Sequence, residues 1–191
     1  MSYRLTCYLI GIMALGLLAS TPVLAAQSPW YGGANVSFNS GFSGFGGSTG
    51  FDVYGGYLLP GHVWRFKPAV EVGYDHYGSM TETDLGGTGF TGVLSGHDIA
   101  ASAIFTYAIM PRLGAYLRAG LADVSLTYTL SGYGSSASAS ASGINFLFGI
   151  GVNYRITPQI GVHAEYRNTG ASLSGLSGAM NSFVLGATYR F

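Results

Sequence analysis

The last ten residues alternate in a way only a strand explains: Phe183, Leu185, Ala187, Tyr189 and Phe191 share one face, and Ser182, Gly186, Thr188 and Arg190 share the other. A period of two marks an extended segment with unlike faces, because a helix does not place apolar residues at every second position. Val184 is the one large apolar residue on the second face. Before Pro158 the pattern repeats, with Phe146, Phe148, Ile150, Val152, Tyr154 and Ile156 opposite Asn145, Gly149, Gly151, Asn153 and Arg155. No stretch after Trp30 reaches the roughly 20 apolar residues of a membrane helix, so any span in this chain is built of strands.

Six further segments carry the alternation. Ile160, Val162, Ala164 and Tyr166 oppose His163, Glu165 and Arg167, while Ile99, Ala101, Ala103, Phe105, Tyr107 and Ile109 form another apolar row. Fainter rows are Phe66, Pro68, Val70, Val72 and Tyr74; Phe51, Val53, Gly55 and Tyr57; and Trp30, Gly32, Ala34, Val36 and Phe38. Pro68 cannot donate to a ladder and predicts a local irregularity. In the remaining segment Ala115, Leu117, Ala119 and Leu121 give way to Val124, Leu126, Tyr128 and Leu130, a change of phase that predicts a bulge near Ala122 and Asp123.

Connections alternate between short, proline-bearing turns (Pro60 with Gly61, Pro111 with Arg112, Thr157 with Pro158) and longer Gly, Ser and Thr-rich stretches at 39–49, 78–97, 131–142 and 168–180. That alternation is the connectivity of an eight-stranded antiparallel up-and-down barrel crossing a membrane, with short turns and both termini at the periplasmic side and longer loops outside. Charge decides between this and a soluble barrel. Charged residues are 8% of the chain, whereas soluble surfaces carry roughly 25 to 35%. The alternate face consists of Gly, Ala, Ser and Thr with scattered charges, a poor surface for water, while the apolar rows hold no Lys, Arg or Glu. Such a charge in mid-bilayer would cost up to about 4 kcal/mol. Asp123 is the nearest violation and sits at the change of phase. Aromatics also gather at both ends of the rows: Trp30, Tyr57, Trp64, Tyr107, Tyr154, Tyr189 and Phe191 near the short turns, and Phe38, Tyr74, Tyr128, Phe146, Tyr166 and Phe183 at the far ends, as two interfacial girdles require.

The first residues read as a cleaved export signal: Arg4, an apolar run at 8–19, and Val23, Leu24 and Ala25 before the cut. Residues 1–26 are then the signal peptide and 27–191 a single barrel domain of about 165 residues. Cys7, the only cysteine, falls within the signal, so neither a disulfide nor a cysteine metal site is expected in the mature protein. Eight basic residues balance eight acidic ones without a basic cluster, which argues against nucleic acid as a partner.

This arrangement, the closing strand ending in Phe191, and the run Val162, His163, Ala164, Glu165, Tyr166, Arg167 before the last long connection resemble the OmpA-like, OmpX and opacity-type small barrels of the Gram-negative outer membrane. The resemblance covers essentially the whole mature chain. It implies that Phe183, Leu185, Ala187, Tyr189 and Phe191 form the signal read by the barrel-assembly machinery, with outer-membrane lipid around the barrel. The chain stops at the barrel, unlike full-length OmpA, so peptidoglycan anchoring is not implied.

Inward polar positions are Asp52, Lys67, Glu71, Arg118, Arg155, Glu165, Arg167 and Arg190. Buried ions need partners, so an interior network of ion pairs is expected, in which Asp52, Lys67, Arg118 and Glu165 could meet across the barrel. Inward Gly73, Gly120, Gly149, Gly151 and Gly186 leave room for water, which keeps a narrow diffusion pore as the alternative. A lipid A-modifying enzyme is the third reading. The lipid face presents no nucleophile with a base, His163 and Glu165 point inward together, and His62, His76 and His97 lie at strand ends or in loops. His76 with Asp75 lacks a further ligand, so no metal, cofactor or catalytic site is expected. The first reading is therefore a barrel with a structural or surface-interaction role whose external contacts fall to the outer connections: 78–97 holds Glu82 and Asp84, and the Ser/Ala run at 135–142 reads as a mobile solvated spacer.

Overall fold

The computed structural model describes residues 28–40, 46–83, 89–133, 135–173 and 176–191, the side chains of 171–177 excepted. The expected signal segment 1–26, with Arg4 and Cys7, and the loop residue Asp84 lie outside the described residues. Strands β1 (Trp30–Asn39), β2 (Ser48–Leu58), β3 (Phe66–Glu82), β4 (Thr91–Ala108), β5 (Leu113–Gly132), β6 (Ser135–Arg155), β7 (Ile160–Leu173) and β8 (Leu176–Arg190) pair antiparallel in chain order, and β1 pairs back onto β8. The barrel is closed by the rungs Tyr31↔Arg190 to Asn39↔Ser182, so this seam leaves no edge in the lower wall.

The apolar rows face outward. Val36, Val53, Val72, Ile99, Leu117, Leu121, Phe148, Ile150 and Leu185 are all exposed. Aromatic rings bound this band on both sides, with Trp30, Trp64, Tyr107, Tyr154 and Phe191 exposed near the short turns and Phe38, Tyr74, Phe146, Tyr166 and Phe183 exposed at the opposite margin. On β5 the outward apolar row runs from Leu113 to Leu121, about 27 Å along the strand and about 20 Å along the axis once strand tilt is included, near the ~25 Å apolar height of outer-membrane barrels.

β5 has no bulge at Ala122 and Asp123. Its rungs with β4 and β6 run unbroken, through Ala100↔Ala122↔Asn145 and Ile99↔Asp123↔Ile144. Val124 and Leu126 keep the phase of Arg118 and are buried inside, and Tyr128 packs beside them. What changes at Asp123 is the polarity of the two faces: beyond it Ser125, Thr127, Thr129 and Ser131 face out while apolar residues face in. A strand that leaves hydrocarbon for water behaves this way, because outside the bilayer the wall must be polar outward and the apolar side turns to the core. The register shift lies in β3 between His76 and Gly78, where Gly78 takes φ +75° and the inward phase passes from Tyr77 to Met80. Pro68 produces no register shift; β3 runs through it, close to the strand start where a missing donor is tolerated.

Much of the expected loop sequence is strand. β3 and β4 continue to Glu82↔Gly92, β7 and β8 to Leu173↔Leu176, and the Ser/Ala run 135–142 pairs with β5 down its length. Serine and alanine bury little, which is the pattern of a spacer, yet a continuous partner strand is enough to order them. β5 and β6 pair as far as Gly132↔Ser135, and Tyr133 takes the positive φ, 51°, that a two-residue hairpin demands.

Candidate functional site

The barrel interior divides into three levels. At mid-height is a stitched set of ions. Arg118 on β5 reaches Glu71 on β3 at 2.6 Å, Ser102 on β4 at 2.9 Å and Glu165 on β7 at 3.1 Å. Arg167, also on β7, lies 2.8 Å from Glu165, 2.6 Å from Asp75 and 3.5 Å from Asp52. Neutral donors complete the shell: Tyr31 donates to Glu71 at 3.0 Å, Tyr116 to Glu165 at 2.8 Å, Asn35 to Asp52 and Tyr77 to Asp98. The set draws on β1, β2, β3, β4, β5 and β7. β6 contributes space instead, since a Cβ at Gly149 would stand 2.7 Å from the Glu165 carboxylate and one at Gly151 2.5 Å from the Tyr116 ring. Gly73, Gly120 and Gly186 are likewise closely approached by Tyr54, Ser102 and Asn35. These inward glycines therefore seat neighbouring side chains instead of leaving room for water.

Toward the long hairpins the ions give way to an apolar layer of Met80, Leu94, Leu126, Leu147 and Met180, each no more than 3% exposed, joined by Tyr77, Ala100, Ala122 and Val124. Toward the short turns the lumen opens as a vestibule of about 660 Å³. Ala69, Ile104 and Tyr116, with Tyr31 and Leu58 against them, form its apolar wall.

Of the inward polar residues expected from the alternation, the structure brings together Asp52, Glu71, Arg118, Glu165 and Arg167. Lys67, Arg155 and Arg190 stand apart at the vestibule mouth, where Arg155 and Arg190 bond to the carbonyls of Pro111 and Ser28. Asp75 could have been found, being in phase with Glu71 on the same strand. Asp98 escapes the alternation because the apolar row on its strand starts at Ile99, and the supporting tyrosines escape it because a phenol can face either side. His163 contacts the rings of Tyr54 and Tyr116, with centroids 6.0 and 6.4 Å away, while the bonds of Glu165 go to the two arginines and Tyr116. Asp75 turns in to Arg167 while its neighbour His76 lies against Phe51. Phe183, Leu185, Ala187 and Phe191 all lie exposed on the outer face, with Tyr189 edge-on to Phe191.

Known proteins share this architecture. Outer membrane protein P5 of Haemophilus influenzae is 26% identical over 218 residues, covering 95% of this chain and 59% of the relative. Outer membrane protein A of Shigella flexneri is 27% identical over 203 residues, covering 97% and 55%. The chain thus spans little more than half the length of these relatives. Among solved structures, Neisserial surface protein A superposes with a TM-score of 0.59 at 20% identity over 87% of this chain and all of that one. Ail, the attachment invasion locus protein of Yersinia pestis, gives 0.55 at 18% identity over 88% of this chain and all of that one. Residues 11–191 match the family model described as outer membrane protein beta-barrel domain; the chain belongs to that family and crosses the Gram-negative outer membrane as a closed eight-stranded barrel.

Proposed function

We propose that this protein is a surface-interaction barrel, closed to solutes, whose working part is the sheet that rises beyond the long-hairpin margin of the apolar band. The short turns and both ends of the barrel domain then lie on the periplasmic side, residues 1–26 act as the export signal, and the assembly machinery reads the row that ends in Phe191. The observation that carries this reading is an open edge. β6 begins at Ser135, but its first rung with β7 is Leu147↔Thr169, so residues 135–146 pair with β5 on one side and with no strand on the other among the described residues. An unpaired row of backbone donors and acceptors is a template for an added strand. Natural edges are usually blunted by charge or proline, and 135–146 contain neither.

The chemistry of that end narrows the partner. Residues 76–97 and 121–146 contain Glu82, Asp84 and Asp123 and no Lys or Arg. Ail has been solved with the heparin analogue sucrose octasulfate, but polyanion capture needs a basic face, so the occupant proposed here is an extended polypeptide. A photo-crosslinking residue at Ser140, displayed on intact cells, should give adducts with external protein that disappear when Ser138→Lys and Ser140-flanking Ser142→Lys are added. The same crosslinker at Leu117 should give lipid adducts alone. Absence of any protein adduct at Ser140 would leave the barrel a purely structural role.

Closure to solutes follows from the ionic layer and the apolar layer stacked across the lumen, since an eight-stranded interior is filled by its own side chains. Planar-bilayer recording of the pure protein should show no discrete conductance steps; reproducible steps would restore the pore reading. No catalytic role is proposed, because the acidic and histidine side chains of the interior are engaged with arginines and aromatic rings.

A further inference from the structure

Charge is sorted along the barrel axis. Five of the eight basic residues, Arg65, Lys67, Arg112, Arg155 and Arg190, lie at the short-turn end, and residues 28–31, 57–67, 107–116, 153–163 and 188–191 contain no Asp or Glu. Arg118 and Arg167 are committed to the ionic layer. Lys67, Arg155 and Arg190 ring the vestibule from three different strands, and none has a carboxylate partner among the described residues. Arg155 at the end of β6 and Arg190 at the end of β8 both line its mouth. Like charges held together at the mouth of a low-dielectric cavity are costly unless an anion joins them.

Below that ring the wall is apolar, for a definite reason. The hydroxyls of Tyr31 and Tyr116 donate to Glu71 and Glu165 in the ionic layer, and that of Tyr54 bonds to Thr188 at 2.6 Å. Their polar tips are satisfied, which leaves ring surface, with Leu58, Ala69 and Ile104, to face the cavity. A cavity of about 660 Å³ with an apolar wall and a few cationic groups at its mouth has the size and lining of a small-molecule site.

We propose that the short-turn vestibule binds a small amphipathic anion from the aqueous phase, its carboxylate, sulfonate or phosphate held by Lys67, Arg155 and Arg190 and its acyl or aryl body lodged against Tyr31, Tyr116, Leu58 and Ile104. Arginine supplies planar forked donors to the oxyanion and lysine a mobile point charge. This site is independent of the open edge of β6 and stands or falls separately from it.

Lys67 is the only lysine in the chain, which provides a reporter inside the proposed site. The full barrel domain is placed in phosphatidylcholine nanodiscs and treated with a neutral amine-acylating ester, and acylation of Lys67 is followed by peptide mass spectrometry. Naphthalene-2-sulfonate at about nine times its Kd should slow the reaction about tenfold, by mass action. Naphthalene-2-methanol, of similar shape without charge, should slow it much less. In the double variant Arg155→Gln with Arg190→Gln, whose folding is checked by heat-modifiable gel mobility, the protection should be lost. Equal protection by the alcohol, equal protection in the double variant, or no protection by the sulfonate overturns the proposal. Slowing that appears without any probe when phosphatidylglycerol replaces phosphatidylcholine would assign the basic ring to membrane lipid and likewise overturn a soluble ligand.

Discussion

Replacing Arg167 by leucine is expected to destabilise the folded barrel by about 3–5 kcal/mol, the cost of leaving buried charges without their counter-ion. This guanidinium is the common partner of Glu165, Asp75 and Asp52, and it is 5% exposed, so water cannot take its place without rearrangement. Denaturant titration of the protein refolded in lipid vesicles measures the effect. Arg190→Leu, at the half-buried mouth, should stay within about 0.5 kcal/mol of the parent. Combining Arg167→Leu with Asp52→Asn and Asp75→Asn should recover much of the loss, since removing both partners of a buried pair is far cheaper than removing one. A loss below about 1 kcal/mol for Arg167→Leu alone would mean that the carboxylates are solvated and the ionic layer does not hold the barrel together.

Along β5, one substitution on each side of Asp123 should separate sharply. Leu117→Arg puts a cation in the middle of the outward apolar band and should cost about 2–4 kcal/mol. Thr127→Arg has the same outward phase beyond Asp123 and should change stability by no more than about 0.5 kcal/mol. Leu126→Ala, opposite in phase, should cost about 2–5 kcal/mol, because Leu126 is 2% exposed and packs in the apolar layer with Leu94 and Met80. If a bulge instead turned Leu126 to the lipid and Thr127 inward, Thr127→Arg would be the damaging change and Leu126→Ala the mild one. Refolding yield and denaturant midpoint of the three variants distinguish the two arrangements.

The same β5 segment marks where sequence reasoning stops. The shift from Leu121 to Val124 was visible as a change of phase, and a change of phase has two physical origins: an extra residue in the strand, or a change in the medium outside it. Local pattern cannot tell these apart, because both move the apolar residues to the other parity. The rungs Ala100↔Ala122 and Ile99↔Asp123 decide for the medium. The Ser/Ala run at 135–142 is a related case: its residues have little to bury, and its order comes from a partner, the second half of β5, distant in composition but joined by a two-residue turn.

The ionic layer was legible in part. Inward phase alone selected Asp52, Glu71, Arg118, Glu165 and Arg167, because a charge on a membrane strand has only the lumen to face. The same rule selected Lys67, Arg155 and Arg190, which share that phase yet lie too near the short turns to meet the others. Height along the axis depends on strand tilt and stagger, and those are properties of the closed barrel.

Period-two alternation, scarce charge and the succession of turns were sufficient to determine from sequence alone an eight-stranded antiparallel barrel with its apolar face toward lipid, since each is a local consequence of the pleat and of what hydrocarbon tolerates. Which carboxylate meets which arginine, where the lumen is sealed, and that residues 135–146 of β6 form no rung with β7 were decided by the tertiary structure. Those outcomes depend on register and stagger around the closed circle, which couple every strand to residues far away in the chain.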